Sequence, residues 1–270
     1  MQQLLKQKLS ELAKQVDVNN SHLDEKKNFR CSICFDRGVY YKNEQAYICP
    51  CMKQRTIMNR FKHSNLGLQI QKYNFESFNF DYYPQKKIDQ EELTYYEVAK
   101  RTYNAAKDFT ASIINNDFTK GLLLCGPVGS GKTFLASIIT NILLTNNKQV
   151  LFSIVPDLLD EIRSTYGKQN DQDLNELDLT NAARKAEILV LDDLGAHNYT
   201  EWSINKIYSI INYRANNNLP VIVTTNLEIV ELEEKIGQRT TSRLLQLCKI
   251  YRLLVEQDIR YQIYAQQTPR

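Results

Sequence analysis

Eight consecutive residues, Gly126-Pro127-Val128-Gly129-Ser130-Gly131-Lys132-Thr133, follow the pattern G-x-x-x-x-G-K-[ST]. Glycines at this spacing let the backbone curl so that its N–H groups face inward around an anion. A helix opening at the end of the loop adds the positive end of its dipole. A lysine in this place reaches the β- and γ-phosphates of a nucleotide, and the following hydroxyl holds Mg2+. Phe134 continues the helix, so the expected nucleotide contacts run from Gly126 through Phe134.

Other residues carry matching chemistry. An aliphatic run from Ala186 ends in Asp192-Asp193. Asp192 suits ordering of Mg2+ and Asp193 suits polarising an attacking water. An aspartate there is one methylene shorter than the glutamate many NTPases use, which predicts slow hydrolysis. Asn226 follows Val221-Ile-Val-Thr-Thr225. Its amide suits holding the lytic water or sensing the γ-phosphate; a turn residue at a strand end is the alternative. Arg239 and Arg243 lie four apart and share a face if helical. Held at a subunit edge, such arginines stabilise charge on a neighbour's γ-phosphate; an ordinary surface pair is the alternative. Asp258-Ile-Arg260 follows near the end.

Four of the six cysteines fall within 21 residues: Cys31 and Cys34, then, after fourteen intervening residues, Cys49 and Cys51. Two close pairs joined by a short hairpin gather four thiolates for a structural Zn2+ with no open position for water. Two disulfides or four unrelated buried thiols are the alternatives, and His22 or His63 is a possible substitute ligand. Around the cluster, Lys26, Lys27, Arg30, Arg37 and Lys42 alternate with Phe29, Phe35, Tyr40, Tyr41 and Tyr47. Cations with stacking rings suit single-stranded nucleic acid. The same rings also serve the core of so small a module.

The elements that must position these residues follow from periodicity. Val39–Tyr41 and Ala46–Ile48 read as a hairpin about Lys42-Asn43-Glu44. Leu122–Cys125, Val150–Val155, Ala186–Asp193, Val221–Asn226 and Ile250–Val255 read as five strands. Near-continuous aliphatic runs predict a parallel sheet with helices on both faces, and ligands bind beyond the carboxyl ends of such strands. Leu5, Leu9, Leu12 and Val16 form one face of an N-terminal helix, and a second helix is expected from Met52 to about His63. A boundary near residues 65 to 80 gives two domains, 1–70 and 71–270.

Composition agrees with this division. The chain has 270 residues, with 43% hydrophobic and 24% charged, and a net charge of +3. Between Met1 and Lys72, 13 Lys and Arg face 6 Asp and Glu, which leaves +7 there and −4 in the rest. A basic front part fits an anionic partner such as nucleic acid, or a solvated surface. No run reaches the length of a membrane span and the N-terminus has no apolar signal core. The expectation is a cytoplasmic protein without a membrane partner.

Taken together, these motifs resemble the bacterial and phage helicase loaders of the DnaC/DnaI family, within the AAA+ ATPases. The resemblance rests on Cys49-Pro-Cys51 followed by a basic helix and Phe75-Glu-Ser-Phe78, then on the loop at 126–133. It continues through Leu189-Val-Leu-Asp-Asp-Leu-Gly195, Thr224-Thr-Asn226, Gly237-Gln-Arg239-Thr-Thr-Ser-Arg243 and Asp258-Ile-Arg260. It implies an AAA+ P-loop core with a five-stranded parallel sheet and no separate lid domain, since ten residues follow Arg260, preceded by a small zinc-ribbon and helical domain. ATP, Mg2+ and structural Zn2+ are the implied cofactors. Arg243, with Arg239 beside it, is implied as the finger reaching a neighbouring subunit's ATP, and Arg260 as a γ-phosphate sensor. Gln257 departs from a glycine common in that position. The implied partners are the hexameric replicative helicase, single-stranded DNA bound through Pro156 to Tyr166 with Arg163 and Lys168, and further copies of the chain. Two other readings stay open: a transposition helper of the IstB type on duplex DNA, which usually lacks such a cysteine cluster, and a nucleotide-gated adaptor with negligible hydrolysis.

Overall fold

The computed structural model describes residues 31–42, 45–49, 51–52, 73–88, 92–165 and 175–267. The N-terminal helix, the helix after Met52, His22, His63, the cations Lys26, Lys27 and Arg30, and Lys168 lie outside the described residues. Two compact units are present, Met1–Lys53 and Gln54–Arg270.

In the first unit, β1 (Val39–Lys42) and β2 (Gln45–Ile48) form an antiparallel hairpin, Val39 opposite Ile48 and Lys42 opposite Gln45. One cysteine pair precedes it and the other follows. The chain enters through a tight turn in which Phe35, Asp36 and Gly38 have positive φ. A Cβ on Gly38 would lie 2.6 Å from Met52 Sδ, so the turn needs glycine for space as well as conformation.

The second unit opens with two 3₁₀ turns, Phe75–Ser77 and Phe80–Tyr82. Helix α1 (Tyr95–Asn115) starts at a capping box, Thr94 with Glu97, and ends at Asn116 in the left-handed region. Then come β3 (Gly121–Cys125), α2 (Lys132–Thr145), β4 (Val150–Ile154), α3 (Val155–Arg163) and α4 (Glu176–Lys185). The remainder is β5 (Ile188–Asp192), α5 (Glu201–Asn216), β6 (Val221–Thr225), α6 (Ile229–Ile236), α7 (Gln238–Leu247), β7 (Cys248–Arg252) and α8 (Ile259–Gln267).

The five strands β3 to β7 form one parallel sheet in the order β4-β5-β6-β3-β7, the architecture expected of an AAA+ core. Alternate residues of each strand feed opposite faces, as the strand period of two requires. Leu123, Leu151, Leu189, Leu191 and Val223 pack with α3, α4 and α5 residues such as Leu158, Leu179 and Ile211. Leu122, Leu124, Phe152, Val190 and Ile222 pack with α1 and α2 residues such as Phe109 and Ile139. The sheet is therefore covered on both faces, which explains the continuous aliphatic runs.

The strand limits differ from the sequence-based expectation by one residue at several ends, and by more in two strands. Ala186 closes α4, its N–H donating to Ala182 O at 2.9 Å, so β5 starts later. The last strand spans Cys248–Arg252 rather than Ile250–Val255, because it begins directly where α7 ends. It pairs with β3 alone, Gly121 opposite Cys248. As an edge strand it leaves Lys249 and Ile250 exposed, and the apolar run does not mark its start. Among the described residues no helix is long and apolar enough to cross a membrane.

Candidate nucleotide site and thiol cluster

The glycine loop leaves β3 at Gly126 and enters α2 at Lys132. Gly126, Gly129 and Gly131 have φ of 145°, 72° and 92°, a region that side chains disfavour. Space demands glycine as well: a Cβ on Gly129 would lie 1.9 Å from the Asp258 carboxyl carbon. The N-terminus of α2 carries no side-chain cap, so its first N–H groups are left to an anion in the loop.

Lys132 is 5% exposed. Its Nζ donates to Gly126 O and Pro127 O, each at 2.7 Å, and to Ser130 Oγ at 3.3 Å. Burial pushes its pKa down to about 8, against the upward pull of Asp193 and Asp192. Thr133 Oγ1 donates to the Asp192 carboxylate at 2.9 and 3.1 Å. The two residues expected to hold Mg2+ thus stand side by side. Asp192 also accepts from Thr224 Oγ1 at 2.6 Å. Burial raises its pKa, and the hydrogen bonds from Thr224 and Thr133 oppose that rise.

Strand β6 lies between β3 and β5, which brings Asn226 to the acidic pair. Asn226 Nδ2 donates to Asp193 Oδ1 at 2.9 Å. The Asp193 N–H donates to Thr224 Oγ1 at 2.9 Å, and Asp193 leaves the strand with φ 62°. Thr224 therefore tethers both acids, one through its donor and one through its acceptor. Thr224 stands out in the sequence within the strand and the Thr224-Thr-Asn226 motif, but nothing there gives it a role; its place two residues before Asn226 was the available signal.

These groups line one end of a cavity of about 660 Å3, within the size range of small-molecule sites. Val128, Gly129, Ser130, Gly131 and Phe134 line it too, and the other flank is formed by Tyr73, Phe78, Tyr82, Tyr83, Ile259 and Ile263. The ring of Phe134 meets Tyr73 edge-on at 4.8 Å. The aromatic residues of this flank went unread as part of the site, because they lie some fifty positions before the loop and follow no fixed spacing.

Arg260 lines the same cavity, and its guanidinium pairs with Asp258, Nη2 to Oδ2 at 3.1 Å and Nε to Oδ1 at 3.3 Å. Arg239 and Arg243 do not line it. Both lie on α7, Arg239 exposed and Arg243 half-buried with Nη1 donating to Gln246 Oε1 at 2.9 Å. Arg163 at the end of α3 is exposed and packs over Trp202 at 4.9 Å.

In the first unit the Sγ atoms of Cys31, Cys34, Cys49 and Cys51 all lie within 4.8 Å of one another. Cys31 and Cys49 are 3.6 Å apart, Cys34 and Cys51 3.4 Å. A tetrahedron of thiolates about Zn2+, with bonds of about 2.3 Å, has edges of roughly 3.8 Å. None of the four is in a disulfide. Backbone N–H groups of Cys34 and Ile33 favour the Cys31 thiolate and hold its pKa at about 6. Burial and the neighbouring thiols push Cys49 and Cys51 the other way, so the fit to a structural Zn2+ rests on donor number and spacing.

A family model described as IstB-like ATP binding protein matches residues 53–257. The phage-like element PBSX protein XkdC of Bacillus subtilis is 27% identical over 242 residues, 84% of this chain and 83% of that protein. The replicative helicase loader DnaC of Buchnera aphidicola is 26% identical over 193 residues, 72% of this chain and 70% of its own length. The crystal structure of DnaI superposes with a TM-score of 0.52 at 24% identity, over 70% of this chain and 92% of that one; this likeness establishes the fold. The chain thus belongs to the family of IstB-like ATP binding proteins, and its second unit shares the fold of DnaI.

Proposed function

We propose that this protein loads the replicative DNA helicase onto single-stranded DNA in an ATP-dependent step. The observation that carries the reading is a four-thiol cluster joined to an AAA+ core whose relatives include a named replicative helicase loader. In this reading residues 1–70 face the helicase and 71–270 bind ATP.

The chain's own residues supply the following chemistry. The loop N–H groups and Lys132 bind the phosphates, and Thr133 and Asp192 hold Mg2+, which neutralises developing charge when bound. Asn226, donating to Asp193, orients that carboxylate toward the attacking water. Arg260 leaves Asp258 for the γ-phosphate. Arg243 and Arg239, standing outside their own cavity, complete a neighbouring subunit's site, so turnover requires assembly. Zn2+ in the Cys31, Cys34, Cys49 and Cys51 site would keep the first unit folded, and a chelator is expected to unfold that unit while leaving ATP binding intact. Capture of the replicative helicase from solution tests the proposal: ATP-sensitive association is expected, and no association with or without ATP would sink it.

A second reading, a transposition helper acting on duplex DNA, is favoured by the IstB-like family description itself. Preference for duplex over single-stranded DNA in a binding titration, with filaments on the duplex, would put it first.

A further inference from the structure

A phosphate-binding loop works only if its peptide planes turn N–H groups inward, which requires its carbonyls to be held outward. In this chain two carbonyls of the loop are gripped from outside it. Ile259 N–H donates to Gly129 O at 3.0 Å, and Tyr83 Oη donates to Ser130 O at 2.8 Å. Tyr83 is 3% exposed, lines the nucleotide cavity, and belongs to the aromatic segment well before the loop. The approach is close: a Cβ on Gly131 would lie 2.8 Å from Tyr83 Oη. Burial raises the phenol pKa, so the group remains a donor at any working pH.

The ring itself is fixed. It stacks on Phe78 at 5.4 Å and 10°, and Phe78 in turn packs on Tyr103 of α1 at 5.3 Å. Tyr103 Oη donates to Phe75 O at 3.1 Å, closing the segment onto the helix. Hydroxyl, ring and helix thus form one continuous support that ends on the carbonyl between the second and third loop glycines.

We infer that Tyr83 is a positioning residue for nucleotide binding: its hydroxyl holds the Ser130 peptide in the orientation that presents the loop N–H groups to the phosphates. The inference rests on nucleotide binding at this loop. It implies that movement of the 73–83 segment against α1 alters phosphate affinity.

The test is Tyr83→Phe, which keeps the ring and its stacking and removes only the donor. Binding of ATP and ADP to the full chain is expected to weaken about 5- to 20-fold, the effect of leaving a buried carbonyl without its donor. KM rises with kcat nearly unchanged, and the 31P resonance of the bound ADP β-phosphate shifts. A merely structural tyrosine would lower the melting temperature of the nucleotide-free protein without these changes. Tyr83→Leu, which also removes the stacking, is expected to lose both stability and affinity. Wild-type affinity and an unshifted 31P signal in Tyr83→Phe would overturn the inference. Failure of the unaltered chain to bind ATP would instead overturn the reading of the loop.

Discussion

Lys132 and Arg214 are both buried cations that spend their hydrogen bonds on backbone carbonyls, yet they do opposite work. Arg214, fully buried near the end of α5, donates through Nη1 to Ala183 O at 3.0 Å, Arg184 O at 3.2 Å and Ala186 O at 2.9 Å. Its Nη2 donates to Glu187 O and Pro220 O. Those carbonyls belong to the C-terminal turn of α4 and the entries to β5 and β6, where partial negative charge accumulates. Lys132 takes carbonyls of its own loop, but an open cavity and two carboxylates, Asp192 and Asp193, face it. A buried cation sealed by carbonyls is a brace, whereas one beside an opening at the foot of a glycine loop suits the phosphate role proposed for Lys132. Arg214 binds the entries to β5 and β6, at the end of the sheet away from Asp192 and Asn226.

The largest expected effect breaks the brace. Arg214→Met leaves several carbonyls buried without donors and is expected to cost about 3–5 kcal/mol of stability, measured by denaturant unfolding. At a temperature where the variant remains folded, its ATP affinity should match the parent. If affinity collapses while stability holds, the two cations are not separable in this way.

Lys132→Met is the counterpart. It should lower ATP affinity by about 10- to 100-fold, the range for losing a charged hydrogen bond to phosphate. Stability of the nucleotide-free protein should stay level or rise, because an ammonium held in a poorly solvated site is removed. A marked fall in melting temperature without nucleotide would show that Lys132 braces the loop as well.

How far this contrast was legible beforehand depends on where the partners lie. The Lys132 site could be read because its parts are contiguous: a glycine loop, an acidic pair at the end of an aliphatic run, and an asparagine after the next strand. Strand order, which places Asn226 against Asp193, was not read from the sequence, because the runs show that strands exist and not which ones pair. Arg214 could not be read. Its partners are main-chain oxygens from residues 183 to 220, and carbonyls carry no side-chain signature. Tyr83 escaped for the same reason, since its acceptor is the Ser130 carbonyl. The start of β7 was misplaced because an edge strand with one wet side has no continuous apolar run. Arg239 and Arg243 were legible as a pair on one helix, and they lie outside the cavity.

The smallest effects come from exchanging the two cations' chemistry while keeping their charge. Arg214→Lys retains a positive charge but replaces a planar fork by a point charge on a flexible stem, so it cannot span carbonyls from α4 and from both strand entries. About 1–2 kcal/mol of stability should be lost, with ATP affinity unchanged. Lys132→Arg should leave stability nearly untouched, yet the wider guanidinium will not fit where Nζ now sits 2.7 Å from both Gly126 O and Pro127 O. ATP affinity should then fall by about tenfold. Parallel unfolding and nucleotide titrations on the two variants therefore cross: one loses stability alone, the other affinity alone. If both lost the same quantity, buried charge rather than the geometry around it would govern these sites.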